Sequence, residues 1–169
     1  MTVDDRLGSL EVDGESVTMR FRRRLPYSID AVWTAITDPA ARETWFGTTT
    51  IADGTIAMMP HDPPAPPDAK RMTGRILTWQ PPSGAGARTA VLEHEWHQRI
   101  VEAGVVRYEL TEDGDGTVLV FTHHGLGLRN AQGFLPGTHA FLDRLAAHLA
   151  EEEIPNWNRL YSLLAPAYQ

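Results

Sequence analysis

The chain has 169 residues, a length that suits one domain with a sizeable hydrophobic core. Its 15 Lys and Arg residues are outnumbered by 22 Asp and Glu residues, and the net charge of −7 argues against a nucleic-acid-binding protein. The absence of cysteine excludes disulfides, thiolate catalysis and cysteine-ligated zinc, and it fits a reducing compartment.

Neither a targeting segment nor a membrane-spanning segment is expected. The first residues are acidic, whereas a signal peptide begins with a basic patch and an apolar run. No apolar stretch approaches the roughly 20 residues that a membrane-spanning helix needs. We therefore expect a cytoplasmic protein that has no membrane partner.

The N-terminal part of the chain predicts a loose leader followed by a strand. Residues 1–16 are polar and interrupted by glycine, which indicates the leader. From Val17 onward apolar and polar residues alternate, as in a half-buried strand, and Pro26 ends the strand. The strand carries a basic run made of Arg20, Arg22, Arg23 and Arg24. We expect this run on the solvated outer face of the strand.

Two short helices are predicted after this strand. Ser28 can cap the first helix, whose apolar residues recur at helical spacing. Asp38 and Pro39 form a second helix start, with aspartate as the cap and proline at the first helical position. The second helix carries Trp45 and Phe46, which must be buried either in the core or in the wall of a pocket.

A weak hairpin and a proline-rich loop come next. Residues 48–59 favour a hairpin that turns at Asp53 and Gly54. Residues 60–68 contain five prolines, which remove backbone donors and favour an exposed loop. The loop is either a stiff lid beside a pocket or a tolerated insertion, and we favour the insertion.

The middle of the chain predicts an antiparallel meander. Alternating segments are separated by short turns rich in glycine, and Pro81 with Pro82 closes the first of them. The predicted strands are 71–80, 89–99, 105–111 and 117–124. Strands that precede one dominant helix are typical of an α+β domain whose helix packs on the sheet.

A long helix over residues 133–152 ends the predicted domain, which spans residues 17–152. Its apolar face is marked by residues at spacings of three and four, namely Leu135, Thr138, Leu142, Leu145 and Leu149. Residues 153–169 form an amphipathic tail after Pro155. The tail either folds back on the domain or pairs with another chain, and we favour folding back.

Several local phrases resemble the START-like (SRPBCC) superfamily. Within it they are most similar to the family named after the C-terminal domain of the activator of heat-shock-protein-90 ATPase. The phrases are LPYSIDAVWTAITDPAARETWFG (25–47), GRILTWQPP (74–82), LEHEW (92–96), GTVLVFTHHGL (116–126) and FLDRLAAHL (141–149). His94 departs from the family pattern, since it stands where an aromatic residue is usual.

The resemblance implies a helix-grip (START-like, Bet v-like) fold of the α+β class. In this fold a curved antiparallel sheet wraps around a long C-terminal helix, two short helices follow the first strand, and an elongated cavity lies between sheet and helix. Members of the superfamily bind lipids, polyketides, hormones or other hydrophobic molecules, and some are cyclases or aromatases. The chain leaves no room for the heat-shock activator's separate N-terminal domain, so the resemblance does not imply a co-chaperone role.

The strand registers and the fold together predict an apolar pocket. Side chains of the meander face inward and meet the long helix, with two aromatic residues at one end. The predicted lining consists of Trp45, Phe46, Leu92, His94, Trp96, Leu119, Phe121, His123, Thr138, Leu142 and Leu145. The two histidines and the threonine are its polar members, and each needs a hydrogen-bond partner in the protein, the solvent or a ligand.

We expect neither a metal nor a cofactor. His94 and His123 lie on different strands, and strand alternation points the nearby Glu95 and His97 to the opposite face. The sequence also lacks a nucleophile elbow, a Walker motif and a dinucleotide-binding glycine motif. The two histidines are either core residues, which we favour, or proton carriers in a catalytic pocket.

Three functions remain open at this point. The favoured one is the binding of a small hydrophobic molecule, without catalysis. The second is a protein-interaction role, either co-chaperone-like or as a homodimer that forms through the C-terminal tail. The third is a polyketide cyclase or aromatase activity that uses His94 or His123.

Overall fold

The structure is a computed structural model, and residues 6–169 of it are described. Within these residues, eight strands form one curved antiparallel sheet. The strands are β1 (Ser9–Asp13), β2 (Ser16–Leu25), β3 (Gly47–Ala52), β4 (Thr55–Pro60), β5 (Met72–Ser83), β6 (Thr89–Gln98), β7 (Gly104–Asp113) and β8 (Gly116–Leu126). Their order across the sheet is β1-β2-β8-β7-β6-β5-β4-β3.

Three helices lie between strands in sequence, and two follow the last strand. They are α1 (Ile29–Thr37), α2 (Pro39–Trp45), α3 (Pro67–Lys70), α4 (Leu128–Leu149) and α5 (Trp157–Leu164), followed by a 3-10 turn (Ala165–Tyr168). The long helix α4 runs along the sheet, and its residues Leu142 and Leu145 are buried in the core. This is the helix-grip fold, so the predicted fold class is confirmed.

Both predicted helix starts are confirmed by their capping bonds. The Ser28 side chain accepts a hydrogen bond from the backbone N–H of Ala31 at 3.1 Å. The Asp38 side chain accepts one from the N–H of Ala40 at 3.2 Å. Each cap satisfies a backbone donor that the first helical turn leaves without a partner.

The predicted loose leader is wrong for residues 9–13. These residues form β1, which pairs with β2 from Ser9 opposite Arg20 to Asp13 opposite Ser16. The hairpin turn includes Gly14 at φ +64°, a backbone conformation that glycine adopts without a steric penalty. Residues 1–5, the start of the predicted leader, lie outside the described residues.

Strand β5 continues beyond its predicted end through Pro81 and Pro82. Strand β4 pairs with β5 only as far as Arg75, so the later part of β5 has a free edge. On its other side, the pairing of β5 with β6 has a register shift between Gln80 and Ser83, where the two prolines lie. A proline lacks an N–H donor, and an edge strand with such an irregularity tolerates the loss.

Helix α4 begins at Leu128, five residues before the predicted start, and it ends at Leu149. Its first turn contains the polar residues Arg129 and Asn130, which interrupt the apolar periodicity on which the prediction depended. This turn is held instead by Glu102, which accepts hydrogen bonds from the N–H of Gly127 at 2.6 Å and from Nδ2 of Asn130 at 3.1 Å.

The basic run of β2 does not lie entirely on the outer face. Arg20, Arg22 and Arg24 are exposed, as expected, but Arg23 is only 3% exposed. Alternation places Arg23 on the inner face, where its guanidinium pairs with Asp143 of α4 at 2.9 Å. The prediction is wrong for this residue because it treated a run of charge as one surface.

The C-terminal tail folds back on the domain, as favoured from the sequence. Trp157 and Leu164 of α5 are buried against α4. The indole N–H of Trp157 donates to the carbonyl of Gly137 at 3.1 Å. A side chain on Gly137 would meet the indole at 3.0 Å, so the missing Cβ allows this close approach.

The last residues connect both ends of the described chain. The hydroxyl of Tyr168 accepts a hydrogen bond from the N–H of Gly8 at 2.9 Å and lies 2.7 Å from Nδ1 of His139. Nε2 of His139 lies 3.6 Å from the Asp143 carboxylate, which also pairs with Arg23. The 3-10 turn, α4 and β2 are therefore joined by one polar network.

We predict that Tyr168→Phe lowers the free energy of unfolding by about 1–2 kcal/mol, since it leaves two polar groups without their partner. Urea unfolding followed by circular dichroism measures this change. Tyr161→Phe is the control, because no described residue hydrogen-bonds to the Tyr161 hydroxyl. Equal stability of Tyr168→Phe and the control would contradict a stabilising role for this network.

Candidate functional site

A cavity of about 610 Å³ lies between the sheet and residues 129–142 of α4. Its walls come from α2, the loop that follows β4, strands β6 to β8, α4 and α5. Aromatic rings dominate the lining, and they are Trp45, Phe46, Trp96, Tyr108, Phe121, Phe134, Phe141, Trp157 and Tyr161. Such a lining suits an organic molecule with a large apolar part.

Seven of the eleven predicted pocket residues border this cavity. They are Trp45, Phe46, Trp96, Phe121, His123, Thr138 and Leu142. The prediction is wrong for the other four, which are at most 1% exposed, do not border the cavity and lie in the packed core. They are Leu92, His94, Leu119 and Leu145. Alternation along a strand determines which face a side chain occupies, but not whether the helix above it touches the sheet at that point.

The proline-rich loop forms part of the cavity wall, which corrects the preference for a tolerated insertion. Pro60, Asp62 and Pro63 all border the cavity. The Asp62 carboxylate pairs with Arg144 of α4 at 3.2 Å, and both side chains are largely buried. This ion pair connects the proline-rich loop to α4.

Several lining residues were not predicted from the sequence, although a helical pattern could have revealed them. Phe134 and Phe141 are seven residues apart, so they project from the same face of α4 as Thr138. Trp157 and Tyr161 are four residues apart and share the face of α5 that meets α4. The tail therefore contributes to the site instead of lying outside the domain.

His123 is one of the polar side chains that the strands place in the cavity wall, and Gln98 of β6 is another. His123 is 2% exposed, and its ring packs between those of Trp96 and Phe134, with centroids 5.0 Å and 5.7 Å away. No residue of 6–169 hydrogen-bonds to its Nε2. Burial lowers the pKa of His123 to about 3, so the ring is neutral near pH 7.

Burial also keeps His94 neutral, but the ring of His94 lies in the packed core and not at the cavity. Its Nδ1 lies 2.9 Å from the backbone carbonyl of Glu95, and because a carbonyl oxygen only accepts, Nδ1 carries the proton. Burial lowers the pKa of His94 to about 4, and the nearby positive charge of Arg42 adds to this effect. His94 is fully buried and does not border the cavity.

Arg42 of α2 is a lining residue that the sequence analysis did not identify. Its side chain is fully buried, although arginine is usually exposed. It lies one helical turn before Trp45, and this spacing is the signal that could have placed both on one face. The guanidinium carbon lies 5.2 Å from the Trp45 ring and 4.9 Å from the Phe46 ring.

The described residues bring together no set of three or more His, Cys, Asp or Glu side chains that could hold a metal. The same part of the chain contains no helix long and apolar enough to cross a membrane.

The fold and the cavity define a START-like helix-grip protein. The family model described as "Activator of Hsp90 ATPase homolog 1-like protein" matches residues 26–150. The match covers most of the chain, so the chain belongs to this family. The family match ends before α5, which supplies Trp157 and Tyr161 to the cavity wall.

Solved structures share this fold. CalU16 from Micromonospora echinospora has a TM-score of 0.71 and 22% identity, and the match covers 96% of this chain and 94% of that one. The protein encoded by BPP1335 of Bordetella parapertussis has a TM-score of 0.68 and 24% identity, and the match covers 95% of this chain and 87% of that one. DynU16, from the dynemicin biosynthetic locus, has a TM-score of 0.65 and 20% identity, and the match covers 85% of this chain and 51% of that one. At these identities the likeness shows the fold alone. No curated protein matches the chain at a significant level.

We predict that acid destabilises the fold through its buried neutral histidines. Burial lowers the pKa of His94, His123 and His139 to about 4, 3 and 4, from a usual value of 6.5. As the pH falls below 6.5 the unfolded chain binds protons that the folded protein does not, so the free energy of unfolding must decrease. The decrease between pH 7 and pH 4 is on the order of 3 kcal/mol for each histidine.

Urea unfolding at a series of pH values measures this effect. His123→Phe is expected to flatten the decrease, because one titrating group is removed. Leu119→Val, which shortens an apolar side chain on the same strand, should retain the steep decrease. An identical pH dependence in wild type and His123→Phe would show that His123 is not held neutral.

Proposed function

We propose that the protein binds a small, mainly apolar organic molecule in the cavity between the sheet and α4. The observation that carries this proposal is a cavity of about 610 Å³ whose lining includes nine aromatic residues. Small-molecule sites in proteins typically have volumes of roughly 300–1,000 Å³ and an apolar lining of this kind. The proposal also agrees with what the START-like resemblance implies.

His123 would orient the ligand through a hydrogen bond. Its Nε2 is buried at the cavity wall and has no partner among residues 6–169. A buried polar atom without a hydrogen bond costs on the order of 1–3 kcal/mol, so a ligand hydroxyl, amide or carbonyl at this position would stabilise the complex. An unpartnered polar atom at a largely aromatic wall favours a ligand that places a polar atom opposite it.

The geometry favours binding over proton transfer. A general base works best when its pKa lies near the working pH, whereas burial lowers the pKa of His123 far below neutrality. His94, the other candidate, does not border the cavity. A cyclase-like or aromatase-like activity would therefore depend on His123 alone, with no described carboxylate bound to its ring.

The protein-interaction alternative has less support from the packing of the tail. The apolar side of α5 is used within the chain, since Trp157 and Leu164 are buried against α4. Leu163 is 70% exposed, but a single exposed leucine is common on protein surfaces. Homodimerisation and a co-chaperone-like role stay predictions, and light scattering of the purified protein tests the first of them.

We predict that Thr138→Trp blocks ligand binding. Thr138 borders the cavity, and the larger indole would occupy space that a ligand needs. Titration with N-phenyl-1-naphthylamine, a neutral apolar fluorophore, is expected to show saturable binding to the wild type and at least about tenfold weaker binding to the variant.

Thr50→Trp is the matched control, because Thr50 is exposed on β3 and does not border the cavity. It should bind the fluorophore as the wild type does. Equal affinities of Thr138→Trp and the wild type would place the binding elsewhere, and a wild type that binds no apolar probe would contradict the proposed function.

A further inference from the structure

Arg42 is a buried cation whose partners are all neutral. Its Nε donates to Oγ1 of Thr49 at 3.3 Å, Nη1 donates to the carbonyl of Ile36 at 3.0 Å, and Nη2 lies 2.7 Å from the sulfur of Met58. A guanidinium has five N–H donors, so these contacts leave two of them without a partner. No Asp or Glu among residues 6–169 forms an ion pair with it.

The other arginines that are largely buried do not share this arrangement. Arg23 pairs with Asp143 at 2.9 Å, and Arg144 pairs with Asp62 at 3.2 Å. Removing a guanidinium from water is costly unless an anion or several hydrogen bonds compensate for it. Arg42 is thus the exception in a chain that otherwise gives its most buried arginines a carboxylate.

Aromatic rings supply part of the compensation. The guanidinium carbon lies within 6.0 Å of the ring centroids of Trp45, Phe46 and Tyr108. Ring faces attract a cation, but more weakly than a carboxylate does. The same three rings border the cavity, so Arg42 and its aromatic surroundings form one part of the cavity wall.

The charge of the lining has the opposite sign to that of the whole chain. The net charge of the protein is −7. The charged residues that border the cavity are Arg42, Lys70 and Arg129 as cations and Asp62 as the acid. Asp62 is already paired with Arg144, so the lining offers positive charge to whatever enters the cavity.

We propose that the molecule bound in this cavity carries an anionic oxygen group, such as a carboxylate, and that Arg42 is the residue that recognises it. The inference rests on the proposed function and adds the chemical class of the ligand. The apolar body of the molecule lies along the rings. Its anionic group accepts hydrogen bonds from the remaining N–H groups of Arg42. A planar guanidinium suits this role because it can donate two parallel hydrogen bonds to a carboxylate.

The test compares two competitors of the same shape that differ in charge. N-phenyl-1-naphthylamine serves as the bound fluorophore, and 2-naphthoate and 2-naphthamide are used to displace it at pH 8. The wild type is expected to bind naphthoate at least about tenfold more tightly than naphthamide, the factor that one charge-assisted hydrogen-bond pair provides. Arg42→Met should abolish this preference, measured as the ratio of the affinities of that variant for the two competitors.

Arg22→Met is the matched control, since it removes the same charge from the exposed face of β2 and should keep the preference. Arg42→Lys keeps the charge and should retain part of the preference. It replaces Arg42→Met in the test if Arg42→Met does not fold. Equal binding of the two competitors to the wild type would overturn the inference. So would a preference that disappears in Arg129→Gln or Lys70→Gln but survives in Arg42→Met.

These outcomes separate this inference from the proposed function. A wild type that binds neither the fluorophore nor the competitors contradicts both. A wild type that binds the fluorophore but does not distinguish the competitors contradicts only the assignment of Arg42 to an anionic group.

Discussion

The position of α4 relative to the sheet is the constraint on which the cavity depends. Glu102 holds the start of the helix through the N–H of Gly127 and the side chain of Asn130. Further along, Asp143 pairs with Arg23 of the sheet. Hydrogen bonds and ion pairs fix distances and directions, whereas hydrophobic contact alone would draw the helix onto the sheet along its whole length. The helix therefore closes the core at one end and leaves a chamber at the other.

The chamber combines an apolar surface with two kinds of buried polar group. His123 is neutral and offers hydrogen bonding without charge, because burial lowers its pKa. Arg42 is a cation surrounded by rings and neutral acceptors. Helix α5 and the proline-rich loop cover the chamber from outside, and Trp157 and Asp62 are the residues through which they attach to α4. Shape, one neutral polar atom and one cation would together define what the protein binds.

Most of the fold could be predicted from the sequence, because alternation and helical spacing report which face of each element is apolar. The same patterns could not show whether an inward side chain borders the cavity or lies in the packed core. Leu92, His94 and Trp96 share one face of β6, yet only Trp96 among them borders the cavity. Strand β1 was missed because its residues are mostly exposed and show little alternation. Arg42 was missed because its burial depends on rings from other elements, which the local sequence does not show. Sites of this kind depend on tertiary packing, so local patterns identify their elements better than their residues.

The central claim is that the space between α4 and the sheet is where a ligand lies, and the five tryptophans test it within one molecule. Trp45, Trp96 and Trp157 border the cavity, whereas Trp33 and Trp79 pack against each other at 5.3 Å and do not border it. Indole N–H signals in a ¹⁵N-labelled sample can be followed by NMR during titration with N-phenyl-1-naphthylamine. The account predicts that the signals of Trp45, Trp96 and Trp157 shift and saturate together while those of Trp33 and Trp79 stay in place. Shifts confined to Trp33 and Trp79, or no shift at any tryptophan, would contradict it.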